Sequence, residues 1–266
     1  MTDGATAAGA WLPPRRAGTP PAVRLLALPY AGGDTSIFAA WADLLPWEIE
    51  LLPVQLPGRG RRALEPAYAA VGPLVGALAD ALADALAEEP GPPTPLAIFG
   101  HSMGALVGFE LARELRRRGG PEPRHLLVAG RHAPQLPPRF SPLSELPDAE
   151  LFEQMHRRYG YALPAAAGPL DELLDAMRPT VRADLKVSET YVYTEEPPLD
   201  CPITAFGGLA DPTLLREELD AWRHLTRGPF RTRMLPGGHF FLEVEADMRF
   251  LVRFIADALR APAPGK

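Results

Sequence analysis

Two rhythms of apolar residues alternate along this chain. Apolar runs at 23–28, 49–54, 95–99, 126–129, 201–206 and 230–235 have the length of strands buried on both faces, and Pro and Gly breakers bound most of them. Between them lie stretches whose apolar residues recur every three or four positions. Leu74, Leu78, Leu82 and Leu86 share one face of a helix predicted over 71–86, and a second helical pattern begins at Met103 and ends near Gly119 and Gly120. Asp34 to Ser36 offers an N-cap for a helix through Leu45, with Phe38, Trp41 and Leu45 on one face. Strands alternating with helices through short links predict a mostly parallel sheet, covered on both faces and wound right-handedly.

The alternation breaks once. From Arg131 to Tyr193 there is no strand-like run, only Pro-rich linkers and short helical patterns around 150–159, 170–177 and 181–191, with an Ala/Pro-rich stretch at 163–169. A strand-to-strand connection of this length is uncommon unless it has a function, and it predicts a helical lid. The expected division is a flexible Pro/Ala/Gly-rich arm over 1–21, a core over 22–130 and 194–260, and the lid over 131–193. A chain of 266 residues, 47% hydrophobic and 23% charged, suits one large α/β domain with an insertion. No apolar run reaches bilayer length and no signal-like segment opens the chain, so a location in the cytoplasm, away from membranes, is expected; a monomer is expected as well.

Charge and cysteine narrow the function classes. A net charge of -6 argues against nucleic acid as a partner, although Arg15, Arg16, Arg59, Arg61, Arg62 and Arg116 to Arg118 form local basic patches. Cys201 is the only cysteine, which excludes an internal disulfide and a thiolate metal cluster and leaves it a structural role. A phosphate-binding loop, a dinucleotide fingerprint and a metal-ligand cluster are all missing from the sequence, and no cofactor is expected.

The chemistry concentrates at Gly100-His101-Ser102-Met103-Gly104, a G-x-S-x-G pattern lying between an apolar run and a helical pattern. In that setting the glycines allow a strained strand-to-helix turn that lifts a serine hydroxyl above the sheet edge. Serine needs a base within reach and a third group to hold that base in one tautomer. His239 follows the run at 230–235 and Asp211 follows the run at 201–206, so the order Ser, Asp, His matches that of the α/β-hydrolase fold, and both lie where functional loops gather. Asp184 and Asp200 compete with Asp211 for the acid role, but one sits in the expected lid and the other precedes its strand. His101, inside the elbow, is expected to pack. Two backbone donors are expected for the oxyanion, the N–H of Met103 and that of Ala31 in the loop after the first strand.

Five motifs in order, Leu28-Pro29-Tyr30-Ala31-Gly32-Gly33, Val54-Gln55-Leu56-Pro57-Gly58-Arg59, the serine elbow, Arg182-Ala183-Asp184 and Gly238-His239-Phe240-Phe241, give a chain that resembles the stand-alone type II thioesterases of polyketide synthase and nonribosomal peptide synthetase systems. The resemblance implies an editing hydrolase that removes aberrant acyl groups from the phosphopantetheine arm of carrier domains. It also implies Ser102 as nucleophile, His239 as base, Asp211 as orienting acid, and Ala31 and Met103 as oxyanion donors. The alternatives are a small-molecule carboxylesterase or lipase, a chain-releasing thioesterase, and a non-catalytic carrier-binding protein. Arg59, Arg61 and Arg62 are candidates for guiding an acidic carrier domain to the site.

Overall fold

The computed structural model describes residues 7–14, 19–87, 93–120, 122–161 and 170–261. Its elements in chain order are α1 (Ala7–Trp11), β1 (Val23–Leu28), α2 (Trp41–Leu44), β2 (Ile49–Pro53), α3 (Val71–Ala87), β3 (Leu96–His101), α4 (Met103–Arg117), β4 (His125–Ala129), α5 (Asp148–Tyr159), α6 (Leu170–Glu189), β5 (Ile203–Gly208), α7 (Arg216–Asp220), β6 (Phe230–Leu235) and α8 (Glu245–Arg260), with short 3₁₀ turns between some of them. The strands form one sheet in the order β2-β1-β3-β4-β5-β6, and every pairing is parallel. This is the mostly parallel sheet expected from the sequence.

Alternation within the strands feeds two cores. Leu26 and Leu28 of β1 face the side covered by α1, α3 and α4, while Leu25 and Ala27 face the side covered by α2, α8 and the α5–α6 insertion. Every residue of β1 is buried, as a central parallel strand requires, whereas β6 at the sheet edge alternates partly exposed and exposed positions until Leu235. The chain runs outward from β1 to β2 and then returns to place β3 on the other side of β1. The crevice at the carboxyl ends of β1 and β3 is therefore a topological switch point, where open α/β sheets bind ligands.

Four local expectations need correction. Within the arm, Ala7–Trp11 is helical, Trp11 and Leu12 are buried against α3, and the Arg62 guanidinium lies 4.2 Å above the Trp11 ring. The Pro/Ala/Gly-rich composition hid two apolar anchors; residues 1–6 and 15–18, including Arg15 and Arg16, lie outside the described residues. The helix expected through Leu45 is split into a 3₁₀ turn at Thr35–Phe38, capped by the Asp34 side chain on Ser36 N, and the short α2. The helical patterns around 170–177 and 181–191 are one helix, α6, that continues through Pro179. A proline there removes one helical hydrogen bond, and tertiary contacts such as Thr180 Oγ1 donating to Gly58 O at 2.8 Å hold the turn that follows. The stretch at 163–169 lies outside the described residues. Finally, Arg59 and Arg62 are buried and Arg61 donates to the carbonyls of Ala10 and Leu12, so this loop does not present three free cations to a partner.

Among the described residues, no helix is long and apolar enough to cross a membrane. Cys201 is buried beside β5, and burial, reinforced by nearby Glu122, pushes its thiol up to about 12.

Candidate active site

The elbow is built by backbone crowding. Ser102 has φ 53° and ψ -110°, and it has the one positive φ outside glycine among the described residues. Its N–H donates to Ala129 O at 2.8 Å, which ties the turn to the end of β4. A Cβ on Gly100 would lie 2.0 Å from Gly104 O, and one on Gly104 would lie 2.3 Å from Leu28 O, so neither position admits a side chain unless the backbone moves. These two contacts press β3, α4 and the end of β1 together and hold the serine in a conformation that a non-glycine residue adopts at a cost of about 1–3 kcal/mol. The first turn of α4 begins at Met103, so N–H groups at the positive end of the helix gather behind the hydroxyl. The Met103 side chain is buried in the core.

The other two members of the expected constellation meet at 2.8 Å, His239 Nδ1 to Asp211 Oδ2, and both are buried. Burial by itself would raise the Asp211 carboxyl. The bond to His239, the charge on that ring and two bonds from Thr213 outweigh it and hold the carboxyl below its ordinary range. Thr213 donates to Asp211 Oδ1 from both its N–H (2.9 Å) and its hydroxyl (2.7 Å), leaving Oδ2 for the histidine. With Nδ1 committed to the carboxylate, Nε2 is the ring nitrogen left for a proton exchange. Sequence reasoning did not single out Thr213, yet Asp-x-Thr is the signature of a turn in which an aspartate is bonded two residues on, and the signal was there to use.

Ser102 and His239 line one cavity of about 60 Å³, together with Tyr30, Ala31, Tyr159 and Phe240. Both also line an adjoining cavity of about 130 Å³ reached by Arg139, Phe140 and Arg158. The insertion roofs the smaller cavity through Met155 and Tyr159 of α5 and Leu185 of α6. The Tyr159 ring lies 4.8 Å from the His239 ring and Phe240 meets that ring edge-on at 5.1 Å, so aromatic faces limit how far the imidazole can swing. Tyr30, hydrogen-bonded to Glu243, has its hydroxyl pushed well above the usual range by burial and by that carboxylate; it is a neutral donor at ordinary pH. Arg131 lines both cavities, donates to Ser188 Oγ at 3.2 Å, and is brought down to about 10 by burial. Neither Tyr159 nor Arg131 carried a motif signal, since each acts by place in the fold.

His101 packs, as its position before the nucleophile predicted. It is wholly buried, burial and the neighbouring His239 bring its pKa down to about 3, and it must therefore be neutral. Its Nε2 lies 2.9 Å from the His239 carbonyl oxygen, so that nitrogen carries the hydrogen and donates, fixing the backbone of the histidine loop. Asp184 is far from the acid role: its carboxylate faces Arg59, Nη1 to Oδ2 at 2.5 Å and Nη2 to Oδ1 at 2.7 Å, and accepts from Gly32 N at 2.8 Å. Asp200 pairs with Arg227 at the surface.

A strained serine at a strand-to-helix elbow, beside a histidine anchored on a buried aspartate at the switch point of a parallel sheet, defines a hydrolase of the α/β-hydrolase fold. The thioesterase domain model matches residues 23–259, and the chain belongs to that family. It is 41% identical over 226 residues to linear gramicidin dehydrogenase LgrE of Brevibacillus parabrevis, covering 85% of this chain and 84% of the relative. That relative is named for a redox activity, whereas this sequence has no dinucleotide fingerprint. Among solved structures, the RedJ thioesterase of the prodiginine pathway of Streptomyces coelicolor superposes with TM-score 0.81 at 41% identity, covering 92% of this chain and 91% of that one. The type II thioesterase BorB from the borrelidin cluster gives TM-score 0.80 at 34% identity, covering 94% and 98%.

Proposed function

We propose that this thioester hydrolase is an editing enzyme, which clears aberrant or stalled acyl groups from the phosphopantetheine arm of carrier domains in a modular synthase. The observation that carries the reading is the His239–Asp211 pair sharing a cavity with the strained Ser102. The similarity to RedJ and BorB, both from biosynthetic pathways, supports the partner class.

The placement of Ser102 and His239 in one cavity supports an acyl-enzyme mechanism. Ser102 Oγ attacks the thioester carbonyl carbon while its proton passes to His239 Nε2, and Asp211 stabilises the imidazolium through Nδ1. The carbonyl π electrons move to oxygen, where the N–H groups of Met103 and Ala31 receive them. Collapse breaks the C–S bond and releases pantetheine thiol, with the proton delivered from His239. A free thiol has a pKa near 8.5, so it departs more readily than an amine and asks less of the acid. The acyl-enzyme is then opened by a water that His239 deprotonates, and Ser102 recovers its proton. No cofactor takes part.

The test is hydrolysis of one acyl group presented on a carrier domain, on free pantetheine and as an oxygen ester. The thioesters should turn over, the carrier-bound form fastest, and Ser102→Ala should lower kcat by about 10⁶ while leaving the fold intact. Faster cleavage of the oxygen ester, or turnover that survives Ser102→Ala, defeats the reading.

A further inference from the structure

The Ala31 loop is the half of the oxyanion site that no regular element holds. The Met103 N–H belongs to the first turn of α4, whereas Ala31 sits in the turn Pro29 to Gly33 between β1 and a 3₁₀ helix. Besides the turn's own bond from Gly33 N to Tyr30 O at 3.0 Å, its neighbours are bonded from outside by one carboxylate and one guanidinium. Asp184 Oδ2 accepts the Gly32 N–H at 2.8 Å, and Arg59, which grips the same carboxylate with two nitrogens, also donates from Nη1 to Gly33 O at 3.1 Å. Asp184 comes from α6 and Arg59 from the loop after β2, 125 residues apart. Both are buried.

The surroundings leave the loop little freedom on the remaining sides. Gly32 has φ +80°, and a Cβ there would meet Val181 Cγ2 at 3.0 Å and the Tyr161 hydroxyl at 3.1 Å, so α6 presses directly on it. The Arg59 guanidinium is itself oriented by Pro57 O, which accepts from Nε and from Nη2 at 3.2 Å. Asp184 is buried and lines neither of the cavities that hold Ser102. A buried ion pair is weak evidence for a stabilising role, because an apolar pair of similar volume often serves stability as well or better. Here the carboxylate does something an apolar residue cannot: it accepts a backbone N–H one residue along from the oxyanion donor.

We infer that Asp184 and Arg59 are positioning residues for the oxyanion site, aiming the Ala31 N–H by holding Gly32 and Gly33. The inference rests on the proposed role of Ala31 and makes α6 a working part of the catalytic centre. An interaction felt only as charge develops on the carbonyl oxygen lowers kcat when lost and leaves ground-state binding alone.

The experiment compares the wild type, the apolar pair Arg59→Met with Asp184→Leu, and Asp184→Asn, using an acyl-pantetheine thioester, a boronic acid that forms a tetrahedral adduct on Ser102, and thermal unfolding. The apolar pair should unfold near the wild-type temperature yet show kcat lower by about 10- to 100-fold, with KM within about twofold and boronate affinity weakened by a similar factor; loss of a whole oxyanion donor, the upper bound, costs about 10²–10³. If kcat and boronate affinity return with stability, the pair is structural and the inference is overturned. Should the apolar pair fail to fold, Asp184→Asn carries the same split: it keeps an oxygen for Gly32 but loses its grip on Arg59, so kcat should fall while KM stays, and a rise in KM at unchanged kcat overturns the inference. Failure of the thioesterase reading looks different, because the wild type itself would then leave the thioester intact.

Discussion

The elbow and the α5–α6 insertion meet over the same cavity but are held by opposite means. At the elbow, backbone stands against backbone: Gly100 and Gly104 admit no side chain, and Ser102 N is tied to Ala129 O. The insertion is attached through side chains. Thr180 donates to Gly58 O, Asp184 pairs with Arg59 and accepts from Gly32 N, and Tyr191 donates to Glu110, while within the insertion Arg182 donates to the carbonyls of Ser144 and Leu146 and to Asp148, and Glu189 accepts the N–H groups of Leu143 and Ser144. Main-chain crowding fixes one geometry and tolerates almost nothing, whereas a set of side-chain bonds can be re-drawn residue by residue. The chemistry therefore sits on the part that cannot drift, and the roof that shapes the acyl cavity sits on the part that can change.

The largest effect that sharpens this contrast lies at Asp211. Asp211→Asn keeps the shape but offers His239 the wrong tautomeric partner, and kcat should fall by about 10⁴ with KM and the unfolding temperature little changed. Steady-state kinetics with thermal unfolding on the same preparation check it; a loss confined to KM would place Asp211 in binding instead. An intermediate effect is expected in the insertion. Arg182→Ala removes bonds to two carbonyls and one carboxylate and should cost the roof about 1–3 kcal/mol locally. Hydrogen exchange should speed up in α5 and not in β1 or β3, while kcat falls less than KM rises. Equal protection loss in the central strands would erase the distinction between the two regions. The smallest effect concerns the framework in acid. Burial, with the charges of Arg231 and Arg124, brings His125 down to about 4 from 6.5, so the unfolded chain binds a proton in this window that the native one refuses. Stability should fall as pH drops from about 6.5 to 4, and His125→Gln should flatten that slope in urea titrations. An unchanged slope would assign the acid sensitivity to other groups, of which His101 and His132, at about 3 and about 4, are the first to test.

How much of this was legible in the sequence follows the same divide. The six strands, the elbow and the positions of Asp211 and His239 could be read because each depends on neighbours a few residues away: a run of apolar side chains, a glycine on either side of a serine, a strand end. What depended on distant partners could not. The partnership of Arg59 with Asp184 spans 125 residues, and read locally the first looked like a docking cation and the second like a rival for the acid. Pro179 reads as a break, but Thr180, Val181 and Asp184 make enough contacts with the Gly58 and Gly32 loops to carry α6 through it. Trp11 reads locally as part of a loose arm, yet its ring lies beneath Arg62 and its carbonyl accepts from Gln55 N at 2.8 Å.

The lone sulfhydryl has a consequence for a member of the thioesterase family. Acyl transfer from one sulfur to another requires an accessible thiolate, and the only cysteine in the chain is buried with its ionisation pushed up to about 12. The buried thiol is thus a poor acceptor for acyl groups. The same property makes the protein a ready host for site-directed labels, since a cysteine placed on the insertion would be the one sulfur a maleimide dye can reach, with no native residue to remove first.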